Sequence, residues 1–178
     1  MTDNSFFQEK VNLRLQAISG MESVRVLDCF AGTGKIWKAV KRKSSAKIFV
    51  LGIEKERGKN IDALPGSNLK YLASMNLSRF DVIDLDAYGI LYDQLSLLFR
   101  RGYSGRVIVT AIQSGMGQLP TKLLFELGYS ERMLKKTRSI FNRNGVEKLK
   151  KYLYLYGCQS ITGYFIGRKN YFYFNINP

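Results

Sequence analysis

The sequence has no histidine, two cysteines, three prolines and half as many acids as bases. Without histidine there is no imidazole general base, no Ser/His or Cys/His nucleophile pair, and little to build a catalytic zinc site from. The cysteines, Cys29 and Cys158, stand too far apart for a metal-ligand pattern, so no metal is expected. No apolar run approaches the ~20 residues of a membrane span, and residues 1–5 carry neither the basic start nor the apolar stretch of a signal peptide. These absences predict a cytoplasmic protein in a reducing compartment, with no membrane partner. Its chemistry must run on carboxylates, tyrosines, backbone groups and a cofactor.

What is present is charge of one sign. Lys plus Arg total 28 against 14 Asp plus Glu, a formal net charge of +14 over 178 residues. Such an excess attracts polyanions, and nucleic acid is the expected partner. The plainer explanation is a basic protein kept soluble by its charge. The length suits one domain, residues 1–178. Residues 1–20 would form an N-terminal helix, 24–112 a cofactor-binding half, and 113–178 substrate-side helices with a closing hairpin. A homodimer is an option for so small a domain acting on a large substrate.

Apolar residues at Phe6, Phe7, Val11, Leu15 and Ile18 predict an amphipathic helix over residues 5–19. The β-branched run 24–30 reads as a buried parallel strand, followed by a glycine loop and a basic helix over 34–43. Further strands are expected at 47–53, 68–73, 80–86 and 105–112, with a helix at 91–101 and helical segments from Pro120 to about Tyr156, interrupted near Gly128 and Asn144-Gly145. Residues 159–166 and 171–176 read as an antiparallel hairpin. Strands alternating with helices predict a doubly wound, mostly parallel α/β sheet.

The chemistry concentrates at strand ends. The first strand runs into Asp28-Cys29-Phe30-Ala31-Gly32-Thr33-Gly34, where small residues let the backbone approach a ligand. A dinucleotide site wants a third glycine where this chain has Trp37, and Asp28 would repel a pyrophosphate. An acid there suits the cationic amino-acid end of S-adenosyl-L-methionine instead. Glu54, 26 positions later, ends the second strand, where a carboxylate can accept from both ribose hydroxyls. Asn76 is the candidate for the adenine amino group, with Met75 or Leu77 over the ring; a plain loop asparagine is an equal reading.

Three acids fall in Asp81-Val82-Ile83-Asp84-Leu85-Asp86. Period-two alternation puts Asp84 and Asp86 on one side of the strand, at its carboxyl end. Buried acids are costly without partners, which marks a ligand or substrate site, although Asp86 could simply cap the next helix. Basic residues Arg132, Lys135, Lys136, Arg138 and Arg143 follow the fifth strand and are the candidate nucleic-acid contacts; a solvated helix face explains them nearly as well.

The loop Asp28–Gly34 resembles the D-x-F-A-G-[ST]-G of Rossmann-like nucleic-acid methyltransferases. Asp84-Leu85-Asp86-Ala87-Tyr88-Gly89 is similar to the D-L-D-P-F-G of the tRNA guanine N2-dimethyltransferases, with alanine and tyrosine in place of proline and phenylalanine. The resemblance covers residues 24–112. It implies a seven-stranded sheet closed by a C-terminal antiparallel hairpin, S-adenosyl-L-methionine as cofactor, and methyl transfer to an exocyclic amine of a nucleic-acid base. Asp84 would serve both cofactor and catalysis, Asp86 would orient the amine and receive its proton, and Tyr88 would stack on the base. A protein or small-molecule methyltransferase, and a non-catalytic nucleic-acid-binding module with the same fold, remain alternatives.

Overall fold

The computed structural model describes residues 6–56, 58–87, 89, 91–112, 119–166 and 169–177. Tyr88, expected to stack on a base, lies outside the described residues, as does the glycine loop at 113–118. In chain order the elements are α1 (Phe7–Ala17), β1 (Ser23–Asp28), α2 (Lys35–Lys43), β2 (Lys47–Glu54), β3 (Ala63–Pro65), α3 (Asn68–Ser74), β4 (Val82–Asp86), α4 (Tyr92–Arg100), β5 (Gly105–Ile112), α5 (Thr121–Glu126), α6 (Glu131–Lys136), α7 (Gly145–Leu155), β6 (Gln159–Ile166) and β7 (Lys169–Ile176).

One sheet of seven strands runs in the order β3-β2-β1-β4-β5-β7-β6. The pairings from β3 to β5 are parallel, and β7 lies antiparallel between β5 and β6. This is the doubly wound sheet with a closing hairpin that the alternation of elements predicts. Strand order reverses between β1 and β4, so a crevice opens beyond their carboxyl ends.

The strands' period of two sorts side chains into two cores. Val24, Val26, Ile48, Val82 and Ile108 face α1 and α2, where Val11, Leu13, Trp37 and Val40 cover them. Leu27, Ile53, Ile83, Leu85, Val107 and Val109 face the other way, against Leu72, Leu95, Leu98, Leu149 and Tyr152. Among the described residues no helix is long and apolar enough to cross a membrane.

The third strand differs from expectation. Residues 68–73 are helix α3, and the strand beside β2 is the three-residue Ala63–Pro65. Three residues are too few to show a period, whereas Leu69 and Leu72 fit a helical spacing that a strand reading overlooks. The stripe on α1 also differs: the buried side is Lys10, Val11, Leu13, Arg14 and Ala17, while Phe6 is exposed. Two of those five are cations, and their partners define the site.

Candidate cofactor and reaction site

A cavity of about 310 Å³ opens at the carboxyl ends of β1, β2 and β4. Its walls come from Asp28 to Thr33 after β1, Ile53 to Glu56 at the end of β2, Gly66 to Asn68 after β3, Asp84, Asp86 and Ala87 at the end of β4, and Lys10 and Arg14 from α1. Of the residues expected at a cofactor, Asp28, Phe30, Ala31, Gly32, Thr33, Glu54 and Asp84 line this cavity, and Gly34 lines a smaller one adjoining it.

The loop takes its shape from two left-handed glycines, Gly32 (φ 52°) and Gly34 (φ 72°). A side chain would strain both positions. The Gly34 N–H donates to the Ala31 carbonyl at 2.7 Å, and the Ala31 N–H to the Ile53 carbonyl at 3.0 Å, so the loop is tied to β2. A Cβ on Gly52 would come within 2.8 Å of the Ala31 Cβ, so glycine there lets the loop and β2 close up.

Asp28 and Asp84 are register partners on neighbouring strands. Asp84 is 1% exposed. Its oxygens accept from Arg14 Nε at 2.7 Å, Arg14 Nη2 at 2.8 Å and Trp37 Nε1 at 2.7 Å. Burial holds this carboxyl above its usual range; Arg14 and the Trp37 N–H pull it back only part of the way, and Asp86 adds to the rise. The bulky residue that departs from the dinucleotide pattern is therefore a buried donor to the sheet's central acid.

Asp86 accepts from Lys10 Nζ at 2.9 Å, and Arg14 Nη2 lies 3.4 Å away. Burial alone would raise its pKa, but Arg14 and Lys10 outweigh it and hold Asp86 below the usual carboxylate range. Asp84 and Asp86 thus do share a side of β4, the α1 side, and Arg14 ties them together.

Asp28 is different. It is 6% exposed and faces the cavity, and the hydrogen bond it accepts comes from the Phe30 N–H at 3.2 Å. Burial pushes its carboxyl well above the usual range, Asp84 adds to that, and the more modest pull of Arg14 does not offset it. Among the described residues no cationic side chain bonds to it, and a buried acid so placed suits a cation from outside. Cys29 beside it is also pushed well up, by burial first and then by Asp28 and Asp84, which disfavours the thiolate.

Glu54 closes β2, accepts from the Glu56 N–H at 3.0 Å, and faces the same cavity. Asn76 lies elsewhere. Its side chain accepts from the Ser78 N–H and hydroxyl, at 3.1 and 2.7 Å, and it borders a groove at the opposite end of the sheet with Met75. The asparagine in the cavity is Asn68, which follows the true third strand and donates to the Cys29 carbonyl at 3.1 Å. Arg132, Lys135 and Lys136 line a shallow depression on α6, where Lys135 pairs with Glu131 at 2.7 Å; Arg138 and Arg143 follow on the next turn.

Sequence reasoning missed Lys10, Arg14 and Asn68. The signal for the first two was their i, i+4 spacing on α1, which puts two cations on the helix's buried side.

No family profile matches the chain, and no curated protein does. Solved structures do match. A candidate methylase from Haemophilus influenzae superposes with a TM-score of 0.58 at 14% identity, over 94% of this chain and 87% of that one. A SAM-dependent methyltransferase from Aquifex aeolicus gives 0.55 at 13%, over 99% and 94%. TrmK of M. capricolum, solved with S-adenosyl-homocysteine, gives 0.54 at 10%, over 93% and 68%. At such identities the likeness is one of fold: the chain has the Rossmann-like methyltransferase fold.

Proposed function

We propose that the protein is an S-adenosyl-L-methionine-dependent methyltransferase acting on an exocyclic amine of a nucleic-acid base, with RNA ahead of DNA. The carrying observation is Asp28, a buried acid facing the cavity with no cationic side chain bonded to it among the described residues, in a fold whose solved examples include a complex with S-adenosyl-homocysteine. The residues fit that cofactor. Asp28 would take its ammonium, the loop from Phe30 to Thr33 would pass along it, and Glu54 would take the ribose hydroxyls. Asn68, which lines the cavity as Asn76 does not, would meet the adenine end. The group supplies a methyl on a sulfonium, which needs positioning more than acid or base strength.

Asp86 then serves as an ionised acceptor at the cavity wall. With the backbone carbonyl of residue 86 or 87 it would orient an amine's hydrogens and lone pair. Its lowered pKa makes it a better acceptor of hydrogen bonds than of protons. Asp84 acts through Arg14, which it fixes between the two acids. The net charge of +14 supports a polyanionic substrate. A second reading, a binding module without transfer, is favoured by one contact: Lys10 already occupies Asp86. Transfer of label from S-adenosyl-L-methionine to total RNA, DNA and protein tests both. Label in nucleic acid supports the enzyme; label in protein alone overturns the substrate class, and no label despite tight cofactor binding selects the binding module.

A further inference from the structure

The molecule has a second concave surface, at the opposite end of the strands from the cavity. In register at the start of β1 and β2 stand Arg25 and Phe49, both on the α3 side of the sheet. Helix α3 ends at Ser74, and Met75 and Asn76 after it form one wall of this end. Phe49 stands on the part of β2 that β3 does not reach, and it is 50% exposed. Around it lies a groove of about 610 Å³ whose walls include Arg25, Lys41, Phe49, Arg79 and Phe80. Lys47 Nζ sits 5.2 Å from the centre of the Phe49 ring. Of the acids nearby, Glu22 is exposed and its carbonyl accepts from the Lys47 N–H at 2.8 Å, and Asp81 accepts from the Arg25 backbone N–H at 2.7 Å and its guanidinium at 3.4 Å. Lys41, Lys47 and Arg79 are left as a surplus of positive charge around an open aromatic ring.

We infer that this groove binds a single strand of nucleic acid, with a base on Phe49 and flanking phosphates on Lys41, Lys47 and Arg79. An aromatic platform set among cations suits single strands, because every base has a stacking face and every linkage a phosphate. A second copy of this chain would bring the same surplus cations against themselves, so like charge argues against a dimer through this face. The inference rests on the nucleic-acid reading above, and it adds a contact remote from the reaction cavity. A long substrate would be held at both ends of the sheet, and the distal contact would give affinity without choice of base.

The test is binding of a short fluorescent oligouridylate by anisotropy. Phe49→Ala should weaken binding about tenfold, the loss of one stacked base. It should leave heparin binding and the thermal shift given by S-adenosyl-L-methionine unchanged. Phe49→Trp keeps a ring and should retain affinity. Lys41→Glu with Arg79→Glu should weaken binding further and flatten its salt dependence. Wild-type affinity in Phe49→Ala, or equal losses in the Ala and Trp variants, would overturn the groove while leaving the nucleic-acid reading intact. A wild-type protein that binds heparin but not the oligonucleotide would overturn that reading along with it.

Discussion

Asp28 and Asp84 occupy adjacent strands in the same register, are both buried, and have opposite circumstances. Asp84 is met by a guanidinium from α1 and an indole N–H from α2. Asp28 has a backbone N–H at 3.2 Å and a cavity in front of it. The first acid is satisfied within the fold, and removing its partner leaves a charge stranded. The second has, among the described residues, a backbone N–H and no cationic side chain bonded to it, and the proposed cofactor's ammonium would supply the missing positive charge. Burial alone does not distinguish these two carboxylates; the partner does.

The largest effect should come from stranding Asp84. Arg14→Met should destabilise the fold by about 3–5 kcal/mol in urea unfolding, the cost of breaking a buried pair from one side. Replacing both partners, Arg14→Met with Asp84→Leu, should recover much of that. If the single variant cost no more than a surface substitution, the comparison would break, because Asp84 would not need its partner. Trp37→Phe, which removes one of three donors to the same carboxylate, should cost less, about 1.5 kcal/mol.

Asp28→Asn should act in the other direction on the apo protein. A carboxyl whose native pKa lies above its unfolded value favours the fold below the unfolded pKa, and that stabilisation is lost as pH rises through the native value. At neutral pH the wild-type acid is therefore a liability, and the amide should raise the unfolding midpoint. Asp86, held below its ordinary range, has the opposite sign: its stabilisation is present above the unfolded pKa and lost as pH falls through the native one. A pH series of urea midpoints for wild type, Asp28→Asn and Asp86→Asn separates the two. The Asn variant at 28 should flatten the fall toward neutral pH, and that at 86 the fall toward acid pH.

The smallest expected change sharpens the role of α1. Lys10→Met should leave the fold near wild-type stability, because Arg14 still neighbours Asp86, while moving the Asp86 titration upward. NMR of carboxyl carbons reads this directly. An unmoved Asp86 would show that Lys10 does not hold it.

The sequence made the β1 loop, Glu54, the strand ending at Asp86 and the hairpin legible, because buried parallel strands and strand-end acids leave strong local patterns. β5 occupies the expected 105–112. It did not make β3 legible, since Ala63–Pro65 is held by pairing with β2 rather than by any pattern of its own. That displacement leaves Asn76 at the far end of the sheet and puts Asn68 in the cavity. Nor did it separate Asp28 from Asp84, whose difference depends on Arg14, 70 residues before Asp84 in sequence and in contact with it only through packing.

The central claim is tested most directly by calorimetric titration of S-adenosyl-L-methionine into wild-type protein and into Asp28→Asn at neutral pH. The account predicts binding to the wild type, and affinity weaker by about ten- to hundredfold in a variant whose apo form is the more stable of the two. Equal affinity in both proteins, or no binding to the wild type at high micromolar cofactor, would contradict it.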